Sequence, residues 1–411
     1  MENTNRSAGE ELAAKLLEEP KNAGLIMSDE EIAAADGFCE DYKTFLNAAK
    51  TEREASAEAI KRAKAAGFTE YDPAADYKAG DKFYFCNREK SVILTVMGKK
   101  PLAGGVRLAA AHIDSPRLDL KQHPLYEDRE LALFKTHYYG GIKKYQWTTI
   151  PMSLHGVIVK ANGEKVSVAI GEDEGDPVFC VTDLLIHLAS EQMKRTLAEG
   201  VKGEELNLLI GSRPFKDDKV SKKVKLNIMS ILNEKYGITE HDFVSAELEI
   251  VPAFKARDLG FDRSMVGGYG QDDRVCSYPA LQAILGCEAP EHTCMTILTD
   301  KEETGSDGNT GLNSSYLPYF IDDLAAKQGA KGHNVISKSL CLSADVNAAE
   351  DPTFADVTET RNASKLNYGV VITKYTGARG KSGTSDASAE FVGRIRKMMN
   401  DGGVIWQTGE L

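Results

Sequence analysis

Cys294-Met295-Thr296-Ile297-Leu298-Thr299-Asp300-Lys301-Glu302-Glu303-Thr304-Gly305-Ser306 is a strand-like apolar run that ends in two adjacent carboxylates. Like charges side by side repel, and each raises the other's pKa. If the strand holds the backbone extended there, Glu302 and Glu303 point in different directions. One can then bind a metal while the other faces a water beside it. A hydrolytic metal site needs that division between a ligand and a general base. On its own the pair reads as a solvated acidic turn, so the rest of the chain has to decide.

The chain has 411 residues, more than one usual domain and enough for a large core. Its 42% hydrophobic and 27% charged residues are ordinary for a soluble globular protein. A net charge of −12 argues against a nucleic-acid partner, because phosphate binding wants a basic face. No apolar signal core lies between Met1 and Glu19, and no run approaches the length of a membrane span. The seven cysteines are scattered and form no CxxC, so they read as reduced thiols of a cytoplasmic protein.

Ser28-Asp29-Glu30-Glu31 is a capping box, and one long helical stretch is expected from there to about Ala66. Strands follow at Lys82 to Cys86, Ser91 to Met97 and Val106 to Ala111. The last delivers His112-Ile113-Asp114-Ser115-Pro116 at its end. His-x-Asp puts both side chains on one side of an extended chain, where the Asp can fix the tautomer of a metal-bound imidazole. From about Lys121 the texture becomes β-rich, with a hairpin signal at Asn162-Gly163. Val181 to Ala198 reads as an amphipathic helix containing His187, and Lys223 to Tyr236 as another helix. This stretch, 122–261, is expected to be an insertion into an α/β domain formed by 1–121 and 262–411. Beyond it, strand and helix alternate, which predicts a mostly parallel sheet sandwiched by helices.

Four separate strand ends are expected to carry acidic or imidazole groups: His112 with Asp114, Asp272 with Asp273, Glu302 with Glu303, and Asp345. The ends of parallel strands converge in space. A His with three or four carboxylates suits a pair of zinc-like ions. These motifs, His112 to Pro116, Gly270-Gln271-Asp272-Asp273-Arg274, Glu302 to Ser306 and Ser343-Ala344-Asp345, resemble those of the aspartyl aminopeptidase family of dinuclear zinc metallopeptidases, its bacterial branch above all. The resemblance implies two zinc ions per subunit. His112 and Asp345 would hold one, Glu303 the other, and Asp272 would bridge. Glu302 would be the general base and Asp114 would orient His112. It also implies that the β-rich insertion is a dimerisation domain and that dimers build a tetrahedral homo-dodecamer. Ile186-His187-Leu188 matches a family segment whose His reaches a neighbour's site. Lys374, with Arg379 and Lys381 as alternatives, would take an acidic substrate side chain.

The expected activity is removal of N-terminal Asp or Glu from peptides. Rivals are a zinc aminopeptidase of other specificity, an amidase acting on acylated amino acids, and a catalytically impaired assembly subunit. Nucleotide binding at Gly377 to Ser382 is rejected, because a phosphate loop needs Gly where Tyr375 stands. The family's second zinc also takes a His near the C-terminus, and no His follows His333 here. The chain therefore reads as a shortened member with a weak second zinc and an uncovered sheet edge near Val404 to Trp406.

Overall fold

The Ser91–Val96 strand is buried along its whole length, and its side chains part by alternation. Val92, Leu94 and Val96 join an apolar cluster with Phe45, Ala55, Ala59 and Tyr278. Ile93 joins a second one with Phe83, Ile297, Phe320 and Leu324. The strand thus has an apolar neighbourhood on each side, which is why Val92, Ile93 and Leu94 follow one another without a polar residue between them.

The structure is a computed structural model, and it describes residues 7–378 and 382–410. Arg379 and Lys381 lie outside the described residues. Cys39–Asp345 forms one compact unit, and Met1–Phe38 with Val346–Leu411 forms another.

The first unit holds a six-stranded sheet in the order Thr69–Glu70, Lys82–Asn87, Ser91–Val96, Cys294–Thr299, Arg107–His112, Leu340–Ser343. The last three strands run parallel. Ser91–Val96 is antiparallel to both its neighbours, while every other pairing is parallel, so the sheet is mostly parallel with this one strand reversed. The cause is the short connection between Lys82–Asn87 and Ser91–Val96. Arg88 and Glu89 both have positive φ, and so tight a turn can join only antiparallel strands.

A second, seven-stranded sheet runs Lys165–Ile170, Met152–Val159, Ala246–Pro252, Arg117–Asp128, Leu131–Tyr139, Leu208–Gly211, Cys180–Val181. All its pairings are antiparallel. Its own core contains Leu118, Phe134, Met152, Leu154 and Ile250, with Val224 from the Lys223–Tyr236 helix. The Asn162-Gly163 turn joins two of its strands as expected.

Two helical expectations need correction. The stretch after Ser28 is two helices, Asp29–Ala48 and Glu52–Ala65. Thr51 caps the second: its hydroxyl accepts from Glu54 N, and Glu54 returns a carboxylate to Thr51 N. This second capping box breaks the helix, and Ala49, Lys50 and Thr51 are buried at the break. Val181 to Ala198 is not an α-helix; it holds only the 3-10 turns Ile186–Leu188 and Gln192–Lys194. Leu185, Ile186, Leu188 and Met193 are all exposed, so no buried face repays helix nucleation. Asp183 accepts hydrogen bonds from Leu184 N and Gln192 Nε2, a local alternative to the helix.

The other unit contains the capped helices Ala8–Leu16 and Ala389–Asp401. In it Val370–Ile372 pairs in parallel with Trp406–Thr408. No helix among the described residues is long and apolar enough to cross a membrane.

His155 of the Met152–Val159 strand is buried between Glu54 (2.8 Å) and Glu172 (3.2 Å). Burial opposes its protonation, but the hydrogen bonds it donates to Glu172 and Glu54 outweigh it and raise its pKa to about 9. A raised folded-state pKa gives stability that is fully present below about pH 6.5 and lost as pH rises through 9. Denaturant midpoints between pH 6 and pH 10 should therefore fall for the wild type, by up to about 3 kcal/mol in stability. His155→Gln should flatten that slope.

Candidate metal centre

Strand register sets the site. Thr299 pairs with His112, and Ser343 with Ala110. Three parallel strands thus finish at one edge, with Asp114, Glu302, Glu303 and Asp345 just past their ends. Asp272 and Asp273 enter from the start of the Gln271–Leu285 helix, where both have non-helical backbone angles. The bond between them is a cis peptide.

His112 is the centre. Its Nε2 lies 3.0 Å from Asp272 Oδ1, 3.8 Å from Asp345 Oδ1 and 3.9 Å from Glu302 Oε2. Its Nδ1 faces the backbone carbonyl of Asp114 at 2.9 Å, with Asp114 Oδ1 at 3.3 Å. The Nδ1 proton is therefore committed away from the cluster, and Nε2 is presented to the carboxylates. Two sets of possible ligand atoms lie within 4.8 Å of one another: His112 with Asp273 and Asp345, and His112 with Asp272 and Glu303.

Asp114 is fully buried. Its Oδ1 accepts from Glu302 N at 3.1 Å, and its Oδ2 from Glu303 N at 3.2 Å and the Tyr139 hydroxyl at 2.6 Å. Two successive N–H groups directed at one carboxylate require a bend. Glu302–Thr304 is accordingly a 3-10 turn entered through Lys301 at φ 72°. The extended backbone expected at this pair is absent; the turn separates the two side chains instead.

Gly270 and Arg274 hold the aspartates in place. Arg274 is buried and donates to Ser115 Oγ, Ile113 O and Lys50 O. Ser115 in turn donates to Asp272 O at 2.6 Å. A Cβ on Gly270 would fall 1.7 Å from the Arg274 guanidinium, and Gly270 has φ +81°. The glycine is thus required twice, for conformation and for space.

The electrostatics call for a cation. Burial opposes the protonation of His112, yet its hydrogen bonds to Asp114, Asp272 and Asp345 raise its pKa to about 12. Burial, with Asp345 and Asp272 adding, raises Asp273 to about 7 against the pull of Cys276 and His112. Burial and then Asp272 raise Glu303 to about 7. Burial also raises Glu302. Glu303 Oε1 is buried without a hydrogen-bond partner, and the buried oxygens of Asp273 have none beyond the Cys276 thiol. Buried carboxylate oxygens crowded by like charge are the donor set that a divalent ion satisfies.

The structure brings His112, Asp114, Asp272, Glu302, Glu303 and Asp345 together. It does not add His187, which is exposed on the Ile186–Leu188 turn. Lys374 belongs to the other unit, where its ammonium meets Tyr375 Oη at 2.7 Å and Asp386 at 2.9 Å. Two residues had no role from sequence. Asp273 was visible as half of an Asp pair. Tyr139 carried no local signal.

The mixed α/β fold carries a cluster with the donor chemistry of a metal-dependent hydrolase. Residues 45–411 match the family Aminopeptidase I zinc metalloprotease (M18), so the chain belongs to the M18, or aspartyl aminopeptidase, family and is a zinc-dependent aminopeptidase. A relative from Clostridium acetobutylicum, "Probable M18 family aminopeptidase 1", is 50% identical over 404 residues, 96% of this chain and 87% of that protein. The crystal structure of an M18 aminopeptidase from Thermotoga maritima is 45% identical with a TM-score of 0.91, over 95% of this chain and 86% of that one. An mApe1 dodecamer of S. cerevisiae shares the fold, with a TM-score of 0.71 at 18% identity over 90% and 84% of the two chains.

Gly270→Ala should cost roughly 3 kcal/mol, since strained φ and overpacking combine. Thermal melting checks this. A melting temperature equal to wild type would mean that Arg274 moves aside freely.

Proposed function

We propose that the chain removes N-terminal residues from peptides, acidic ones (Asp and Glu) foremost, at a two-zinc centre built around His112. The observation that carries this reading is the pair of ligand sets that share His112, with Asp273 and Asp345 in one and Asp272 and Glu303 in the other. His112 and Asp345 would hold one zinc, Glu303 the other, and Asp272 both, with buried Asp273 beside the first. Zinc supplies a polarised carbonyl and a water whose pKa falls toward neutrality.

The chain's own groups do the rest. Glu302 is exposed at the edge of the cluster, where its carboxylate takes the proton of the attacking water and returns it to the leaving amine. Partial burial raises its pKa. Asp114 holds His112 in one tautomer. The acidic cluster receives the free amine of the peptide, which favours an exopeptidase. Lys374 meets the acidic side chain of the substrate.

The proposed architecture is a helix-sandwiched catalytic domain, 1–121 with 262–411, interrupted by a dimerisation domain at 122–261. Dimers then assemble into a tetrahedral dodecamer in the cytoplasm, and His187 reaches a neighbour's site. The fold shared with the yeast Ape1 dodecamer supports this assembly. So does the run of exposed apolar residues around His187, from Leu184 to Leu188.

Glu302→Gln should keep its zinc and lose about 10²- to 10⁴-fold in kcat, the usual share of a general base. If it loses its zinc while Glu303→Gln keeps it, the two roles are reversed. Asp272→Asn should lose both metals, and full zinc stoichiometry in that variant would remove the bridging role. Turnover of Asp-, Glu- and Leu-peptides side by side tests the acidic preference. Lys374→Met should raise KM for Asp-peptides and leave Leu-peptides unchanged.

A further inference from the structure

We infer that Tyr139, carried by the antiparallel sheet, is a positioning residue for the metal centre and acts on it through Asp114. This rests on the reading above that the His112 cluster holds zinc.

The placement follows from register. Only Ser115 and Pro116 separate Asp114 from the Arg117–Asp128 strand. The next strand returns along it and brings Tyr139 opposite Arg117. A residue distant in sequence thus arrives beside the end of the central sheet. Its hydroxyl donates to Asp114 Oδ2 at 2.6 Å, the shortest of the contacts that hold this carboxylate. Glu303 N bonds the same oxygen at 3.2 Å, Glu302 N bonds the other at 3.1 Å, and His112 Nδ1 lies 3.3 Å from that second oxygen.

Tyr139 is itself fixed. The Arg117 guanidinium lies 3.9 Å from the ring centroid, and the Lys301 ammonium 4.9 Å. Cations over the ring polarise the phenol and strengthen it as a donor. Arg117 is buried and anchored at 2.8 Å on Asp119, 3.3 Å on Glu249 and 3.4 Å on Glu52. Lys301 immediately precedes the Glu302 turn. The ring therefore bridges a rigid charged cluster under the antiparallel sheet and the turn that presents the base.

Gly140 extends the same contact. A Cβ there would lie 3.2 Å from both Cβ and Oε2 of Glu303. The strand end thus bonds Asp114 through Tyr139 and leaves no room for a side chain between Gly140 and Glu303. Without the phenol, Asp114 Oδ2 would keep only the longer bond from Glu303 N. No water replaces a donor at a fully buried carboxylate at no cost. The carboxylate would then shift, and His112 and the Glu302 turn would shift with it.

The test is Tyr139→Phe in the full-length protein, which keeps the ring that Arg117 and Lys301 cover. Three quantities are read: zinc affinity by chelator competition, kcat and KM separately, and melting temperature. Asp114→Asn and the double variant are measured alongside. Zinc affinity and kcat should each fall about ten-fold in Tyr139→Phe, the lower end for a group behind a metal ligand. KM should hold. Adding Tyr139→Phe to Asp114→Asn should cost nothing further, because both act through one carboxylate. Wild-type zinc affinity and kcat in Tyr139→Phe would overturn the inference, as would losses that simply add in the double variant. A wild-type protein that takes up no zinc would overturn the two-zinc reading as well, so the two failures are told apart.

Discussion

The carboxylate of Asp114 has no exposed surface, and three separate segments meet on it. His112 comes from its own strand, Glu302 and Glu303 from a neighbouring one, and Tyr139 from the antiparallel sheet. A buried ionised carboxylate is costly unless paired and hydrogen-bonded. Here the donors hold it ionised: burial would raise its pKa, but His112 and Tyr139 lower it below the usual range. Breaking such a buried arrangement by removing one partner costs about 3–5 kcal/mol. The same bonds that offset the burial of Asp114 fix the imidazole tautomer and bend the chain at Glu302. Stability and the geometry of the site thus share one set of contacts.

Around this anchored core the charge is out of balance. Asp272, Asp273, Glu302, Glu303 and Asp345 surround one imidazole. Like charges so close cannot all ionise, and the raised pKa values of Asp273 and Glu303 record that. The scaffold tolerates the crowding because it is braced from behind. Arg274 ties its own segment to Lys50 and to the Ile113–Ser115 stretch beneath the aspartates, and Gly270 leaves the room it needs. A rigid frame that holds repelling carboxylates in place is stored affinity for a cation, since the ion relieves the repulsion without moving the ligands.

Much of this was legible in the sequence because it is written in local patterns. The apolar run Cys294 to Leu298, the His-x-Asp spacing and the Gly-Gln-Asp-Asp-Arg motif each announce a strand end or a helix start. What stayed hidden depends on register or on turns without the usual residues. The hairpin that carries Tyr139 turns at Arg129 and Glu130, both at positive φ, where Asn-Gly or Asp-Gly would have signalled it. Tyr139 then owes its position to cross-strand pairing, which no short window contains. The break at Ala49 to Thr51 was readable from a Thr-x-x-Glu box that a continuous helical composition masked. The apolar content of Leu184 to Leu197 imitates an amphipathic helix, but Leu184, Leu185, Ile186, Leu188, Met193 and Leu197 are exposed in this chain. Composition cannot say whether such residues face their own core or another surface.

The central claim is that the groups around His112 form one two-ion site. The most direct measurement is anomalous diffraction at the zinc edge from crystals of the protein grown with zinc. The account predicts two peaks about 3.5–4 Å apart, the first within bonding distance of His112 and Asp345, the second beside Glu303, with Asp272 between them. A single peak away from His112, or two peaks that share no carboxylate, would contradict it.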